Sequence, residues 1–202
     1  MKKYAKWIFL VMAFWGLSGC ASLSHEKPAA PEPSPVSSAN RVDVLSNIQH
    51  WDLKGLIAIR NARDAWSATW QWHQNKRNYT IGLQGPLGSG SMELTGTPGS
   101  VVLETGDGKK FTSTSPENLL EKQLGWRLPV SNLYYWIRGL PVPNVPTEKT
   151  LDAKGRLSVL AQQGWRIEYS RYLSVMGVDL PGNMILNNAA LNVKLVIKQW
   201  QV

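Results

Sequence analysis

One thiol, three imidazoles and 14 carboxylates are the side chains of this 202-residue chain most able to do chemistry. The imidazoles are His25, His50 and His73, and no two of them have the spacing that holds a metal ion. There is no Gly-x-Ser-x-Gly elbow, no His-Glu-x-x-His, no Walker loop and no Gly-x-Gly-x-x-Gly. The acids stand mostly beside turns or opposite basic residues, as on a solvated face, and no pair is nominated as acid and base. The expectation is a protein that is not an enzyme and carries no metal. Two features remain: the lone thiol, Cys20, and an unusual supply of tryptophan.

Ten tryptophans are present. Trp66, Trp70 and Trp72 alternate with Ser67, Thr69 and Gln71, so they share one face of one strand. They are either plain core or the lining of an apolar cavity. An acyl chain needs an apolar lining and little polar chemistry, which suits the lack of polar motifs. A second unusual stretch is Gly85-Pro86-Leu87-Gly88-Ser89-Gly90-Ser91. Hairpin tips usually carry polar or small residues. Leu87 either folds back into the core or protrudes as an apolar probe for a membrane or a partner's lipid.

Cys20 closes a segment with a basic head, Lys2, Lys3 and Lys6, and an apolar run from Trp7 to Leu17. The run is about half the ~20 residues needed to cross a bilayer. Leu17-Ser18-Gly19-Cys20 resembles a bacterial lipoprotein signal, in which the cysteine is lipidated and becomes the new N-terminus. That makes 1–19 a leader. It puts N-acyl and S-diacylglycerol groups on Cys20, with no other cofactor. Ala21, where Asp commonly marks inner-membrane retention, implies the outer membrane, facing the periplasm.

From Cys20 onward roughly 180 residues remain, enough for one domain with a proper core. Their side-chain balance is only about +5, because three basic residues and no acids lie in the leader. That favours anionic membrane surfaces or an acidic partner, and no nucleic acid is expected as a ligand, because the basic residues are scattered and the compartment is wrong. No second cysteine is available for a disulfide. Residues 20–39 hold Pro28, Pro31, Pro33 and Pro35 with almost no large apolar residue. They read as a tether, able to span up to ~60 Å at about 3.1 Å per residue.

The remaining residues, 40–202, must form the domain. A helix is expected over Arg41–Trp51, capped by Asn40. Strands follow: Leu53–Ile59, Trp66–Trp72, Tyr79–Leu83, Met92–Thr95, Val101–Glu104 and Lys110–Thr112. Ser115, Pro116 and Glu117 open a helix that ends near Gly125. A second helix is expected over Ser131–Arg138, then a proline-rich loop, then strands at Leu157–Leu160, Trp165–Tyr169, Met184–Leu186 and Leu191–Ile197. Strands with one apolar face need a cover, which the central helices can supply. The expected fold is mainly β with α: a curved antiparallel sheet lidded by helices, enclosing an apolar cavity.

At this point the chain resembles the LolB family of outer-membrane lipoprotein receptors. The resemblance rests on Gly85-Pro86-Leu87-Gly88-Ser89, Met92-Glu93-Leu94 and Thr97-Pro98-Gly99. It continues in Leu128-Pro129-Val130, Trp136-Ile137-Arg138-Gly139-Leu140-Pro141 and Leu195-Val196-Ile197-Lys198-Gln199-Trp200. Gly85 departs from the polar Asn expected there. The resemblance implies an open half-barrel of about eleven strands and a receptor that takes acylated lipoproteins from a periplasmic LolA-like carrier. It would insert them into the periplasmic leaflet of the outer membrane, acting as a monomer in contact with outer-membrane phospholipid. In such a protein Pro86, Leu87 and Gly88 form the membrane-insertion loop. Strand parity and lid position select the acyl-chain lining: Ile57, Ile59, Trp66, Trp70, Trp72, Ile81, Leu83, Leu103, Trp136 and Leu195. The alternatives are an outer-membrane lipoprotein that scaffolds an assembly and a periplasmic hydrolase.

Overall fold

Alternating burial along most of the strands gives them one dry face and one wet face. In the computed structural model, β1 (His50–Arg60) buries Trp51, Leu53, Gly55, Ile57 and Ile59, while Lys54, Leu56, Ala58 and Arg60 are exposed. β2 (Ala65–Asn75) buries Ala68, Trp70, Trp72 and Gln74. The structure describes residues 38–86 and 90–202. The expected leader, Cys20, most of the tether, and Leu87 and Gly88 lie outside the described residues. Those described fall within one unit, Pro35–Val202.

The first meander continues through β3 (Asn78–Gln84), β4 (Ser91–Thr97), β5 (Ser100–Thr105) and β6 (Lys110–Ser113). A second is built from β7 (Glu148–Leu151), β8 (Leu157–Gln162), β9 (Trp165–Val175), β10 (Val178–Asn187) and β11 (Asn192–Gln201). All neighbours are antiparallel, and the two meanders join where β1 pairs with β11. The order is β6-β5-β4-β3-β2-β1-β11-β10-β9-β8-β7, an open sheet of 11 strands with edges at β6 and β7.

That order fixes where the helices go. The chain leaves β6 at one edge and must re-enter at β7, the other edge. The connection, with α2 (Pro116–Leu124) and α3 (Val130–Trp136), crosses the apolar face and covers it. Ser115 caps α2, its hydroxyl accepting from the Asn118 amide at 3.3 Å, and Pro116 stands at the first helical position. A third helix, α1 (Ser38–Asn47), precedes β1.

Several boundaries differ from the sequence expectation. α1 stops at Asn47, and Trp51 belongs to β1. Trp51 shares its period of two with Leu53 and Ile57 and packs at 5.1 Å from Trp72 and 5.4 Å from Trp200. That contact is available only from the strand. α3 begins at Val130 and is a residue or two shorter than expected at its C-terminal end. β7 was not expected, because all four of its residues are exposed and it carries no apolar alternation.

Arg138 explains part of the mid-chain motif. Its side chain is buried, and its Nη1 donates to the carbonyls of Leu45 at 3.2 Å and Ile48 at 2.8 Å. Nε donates to the Tyr134 carbonyl at 2.9 Å, and the guanidinium lies 4.1 Å from the Tyr134 ring centre. A cation thus meets the negative end of α1 and ties it to α3. Burial pushes the Arg138 pKa down, with no carboxylate beside it. Gly139 follows at φ +75°, a conformation that turns the chain out of the helix.

Gly55 marks a close approach. A Cβ there would run into the Val196 carbonyl oxygen and come within 2.9 Å of the Trp70 indole nitrogen. The register also shifts between Lys54 and Gly55. Gly55→Ala is therefore expected to cost about 1–3 kcal/mol by overpacking. Urea unfolding against the parent chain measures it, and an unchanged midpoint would show that the β1–β11 seam yields freely.

Candidate functional site

The inner face is not uniformly filled. On the β1–β5 side a void of about 40 Å³ lies between sheet and helices. The sheet supplies Ile57, Ile59, Trp70, Trp72, Ile81, Leu83, Met92, Leu94 and Leu103. The cover supplies Leu120 and Leu124 of α2, Trp126 and Leu128 of the linker, and Val130 and Leu133 of α3. The lining carries no titratable side chain. Forty cubic ångströms is space for about one water, far too little for an acyl chain. Sheet and cover are in contact around it.

The cover is fastened unequally. On the β8–β9 side it is held by directional bonds. Trp136 Nε1 donates to Gln162 Oε1 at 3.0 Å, and Tyr169 donates its hydroxyl to the Trp136 carbonyl at 3.1 Å. Gln162 also accepts from the Val142 amide at 2.9 Å and donates to the Val142 carbonyl at 3.1 Å. On the β1–β5 side the two surfaces meet through apolar contacts alone around the void. Such contacts are non-directional and re-form with any apolar occupant.

The void opens toward the end of the sheet that carries the β3–β4 loop. Its rim residues there, Leu83, Met92, Leu124, Trp126 and Leu128, are half-buried, whereas Ile57, Trp70 and Trp72 are buried. Trp126 of the lid and Trp66 of β2 pack with ring centres 5.3 Å apart across this rim. Deeper in, Trp72 donates to the buried Gln74 at 2.8 Å and lies 6.1 Å from Trp70. Neither the Trp51 nor the Trp70 indole nitrogen has an acceptor among the described residues.

Of the ten residues selected for the lining, Ile57, Ile59, Trp70, Trp72, Ile81, Leu83 and Leu103 border the void. Trp66 does not border it, and it reaches the site only through Trp126. Trp136 and Leu195 are fully buried but lie elsewhere. Trp136 is held to Gln162 on the fastened side, and Leu195 sits between Ile57 and Met184 on strands where the interior is solid. Met92 and Leu94 follow strand parity and were within reach of sequence reasoning. Trp126 and Leu128 lie in a short linker with no periodicity to reveal them. Pro86 is exposed beside Gly85, whose amide donates to the Gly90 carbonyl at 3.0 Å and closes the base of the loop.

Two of the three histidines are described. His50 opens β1 and does not end a helix. His73, on the exposed face, pairs with Asp52 at 2.7 Å. No group of three His, Cys, Asp or Glu among the described residues could hold a metal ion. No helix among them is long and apolar enough to cross a membrane.

The hinge between α2 and α3 is polar. Glu117 accepts from the Ser131 amide at 2.8 Å and from the Ser115 hydroxyl at 2.9 Å. Partial burial pushes its pKa up, but the bonds from Ser131 and Ser115 outweigh it and leave the carboxyl below its ordinary value.

An open antiparallel sheet whose apolar face is covered by helices, with an apolar-lined void beneath the cover, defines a class, the half-barrel. Solved structures share this fold. A DUF1329 family protein from Desulfovibrio piger aligns with a TM-score of 0.56 at 7% identity, over 83% of this chain and 91% of that one. A LolA superfamily protein from Nitrosomonas europaea aligns at 0.54 and 9% identity, over 85% and 94%.

Sequence narrows the class to one family. Residues 49–200 match the profile described as "Outer membrane lipoprotein LolB". An outer-membrane lipoprotein LolB from Pseudomonas syringae is 43% identical over 185 residues, covering 92% of this chain and 90% of the relative. One from Pseudomonas aeruginosa is 44% identical over the same shares. The chain belongs to the LolB family of outer-membrane lipoproteins.

Because Glu117 has a lower pKa folded than unfolded, its stabilisation is present above the unfolded value and is lost as pH falls through the folded one. Glu117→Gln is expected to lower stability near neutrality by about 1 kcal/mol and to flatten the acid side of the stability profile. Urea unfolding at a series of pH values reads both effects. Parallel profiles for parent and variant would remove Glu117 from the hinge.

Proposed function

We propose that this protein is the outer-membrane receptor that accepts acylated lipoproteins from a periplasmic carrier and inserts them into the periplasmic leaflet. The observation that carries this reading is the apolar void under a cover fastened on one side only. Each buried CH₂ is worth about 0.8 kcal/mol, so a lipoprotein's chains need continuous shielding between membranes. In this reading α2 and the 125–129 linker lift from β1–β5 while α3 stays held at Gln162. Acyl chains then replace the contacts between Trp70, Trp72 and Leu120. The chains leave by the rim at Trp126, Leu83 and Met92, at the end of the sheet where β3 ends and β4 begins.

No bond is made or broken in this transfer. Direction comes from graded affinity: the interior holds the chains better than the carrier and less well than a bilayer. Acylated Cys20 and the proline-rich tether keep the domain within reach of the membrane, and Leu87 is the residue that enters it. The partners are a LolA-like carrier, the lipoprotein cargo and outer-membrane phospholipid, and the receptor works as a monomer.

The near-closure of the void favours one competing reading, a packed scaffold that takes no lipid. A carrier loaded with acylated lipoprotein, mixed with liposomes and the Cys20→Ala chain or its Leu87→Glu variant, separates the two. The Cys20→Ala chain is expected to take the cargo and deliver it. Leu87→Glu is expected to take it and deliver at least tenfold more slowly, since a buried charge in the membrane interface is costly. If neither removes cargo from the carrier, the scaffold reading replaces the receptor.

A further inference from the structure

The outer face of the sheet is polarised in a way that the receptor reading does not use. At the seam of β1 and β11 it carries an apolar strip. Leu56 is 39% exposed and stands opposite Val196, with Ala58 opposite Lys194 and Ile185 beside Lys194 on β10. A shallow groove of about 620 Å³ runs from this strip to Gly85 and Pro86, where the β3–β4 loop begins.

Cations surround the strip. Lys54, Arg60, Lys194, Lys198 and Arg171 are exposed on or around this face and form no ion pair among the described residues. Of the carboxylates nearby, Asp52 is hydrogen-bonded to His73 at 2.7 Å and Glu168 is paired with Arg166 at 3.0 Å. Farther along the same face Glu93 stands opposite Glu104, which is paired with Lys110 at 3.0 Å.

We propose that the outer face of β1 and β11 is a docking surface for anionic phospholipid. Leu56 and Val196 meet the bilayer interface, and Lys54 and Lys194 meet head-group phosphates. Unpaired lysines around an exposed apolar strip match a negatively charged surface with an apolar layer beneath it. The groove's continuity with Gly85 and Pro86 places this surface beside the segment assigned to membrane entry, so the proposal rests on the receptor reading.

The test uses the Cys20→Ala chain without cargo, floated with vesicles of phosphatidylethanolamine and phosphatidylglycerol or of phosphatidylcholine alone. Lys54→Glu/Lys194→Glu is compared with Lys149→Glu/Lys154→Glu, which makes the same charge change on exposed residues elsewhere. The parent is expected to bind the anionic vesicles and to release with salt. The first double variant is expected to bind about tenfold or more weakly, and the second to bind nearly like the parent. Both should unfold at the parent's temperature and take cargo from the carrier in solution as the parent does. Equal binding by parent and the first variant overturns the docking surface, as does parent binding no better to anionic than to neutral vesicles. Loss of cargo uptake with vesicle binding intact assigns the face to the carrier instead and also overturns it. Failure of the parent to take cargo is a separate result, and it removes the receptor reading itself.

Discussion

The pairing of the first strand with the last is the constraint on which the rest of this structure depends. It places β1 and β11 at the centre of the sheet and leaves β6 and β7 at its edges. The segment joining those edges has one short route, across the apolar face. The lid is therefore a consequence of strand order. Sheet and cover bury each other's apolar surface, and neither could remain exposed to water alone.

The cover is asymmetric in chemistry as well as in position. On one side it is pinned by the indole of Trp136, the amide of Gln162 and the hydroxyl of Tyr169, whose bonds have fixed directions. On the other, leucines and tryptophans face leucines and tryptophans. A hydrogen-bonded edge cannot slide without leaving buried polar groups unpaired, whereas an apolar edge exchanges one greasy neighbour for another at little cost. The void lies on the apolar side. Arg138 extends the pinned side by joining α1 to α3, so the first helix and the fixed part of the cover form one support.

Inner and outer faces also divide the labour of the sheet. Period-two alternation gives the inner face to apolar side chains and frees the outer one for charge. On that outer face unpaired cations gather around β1 and β11, whereas Glu104 on β5 is paired with Lys110 on β6. The β1–β11 seam thus carries the floor of the core on one side and exposed lysines on the other.

The sequence by itself determined what is local. Trp70, Trp72, Ile57, Ile59, Ile81, Leu83 and Leu103 share a face because alternation is a property of each strand alone, and all seven border the void. Ser115, Pro116 and Glu117 announced the start of α2, and the family motifs announced the half-barrel. Only the tertiary structure decided what depends on distant pairing. Trp136 and Leu195 have the right parity and burial, but they fall on the fastened side of β1, away from the void. Trp51 looked helical until β2 and β11 supplied Trp72 and Trp200 as its neighbours. Trp126 and Leu128 enter the lining from a linker whose path is set by the crossing from β6 to β7. The alignment of a residue with its own strand is written within a few positions, but its opposite partner across an enclosed space comes from contacts far apart in the chain.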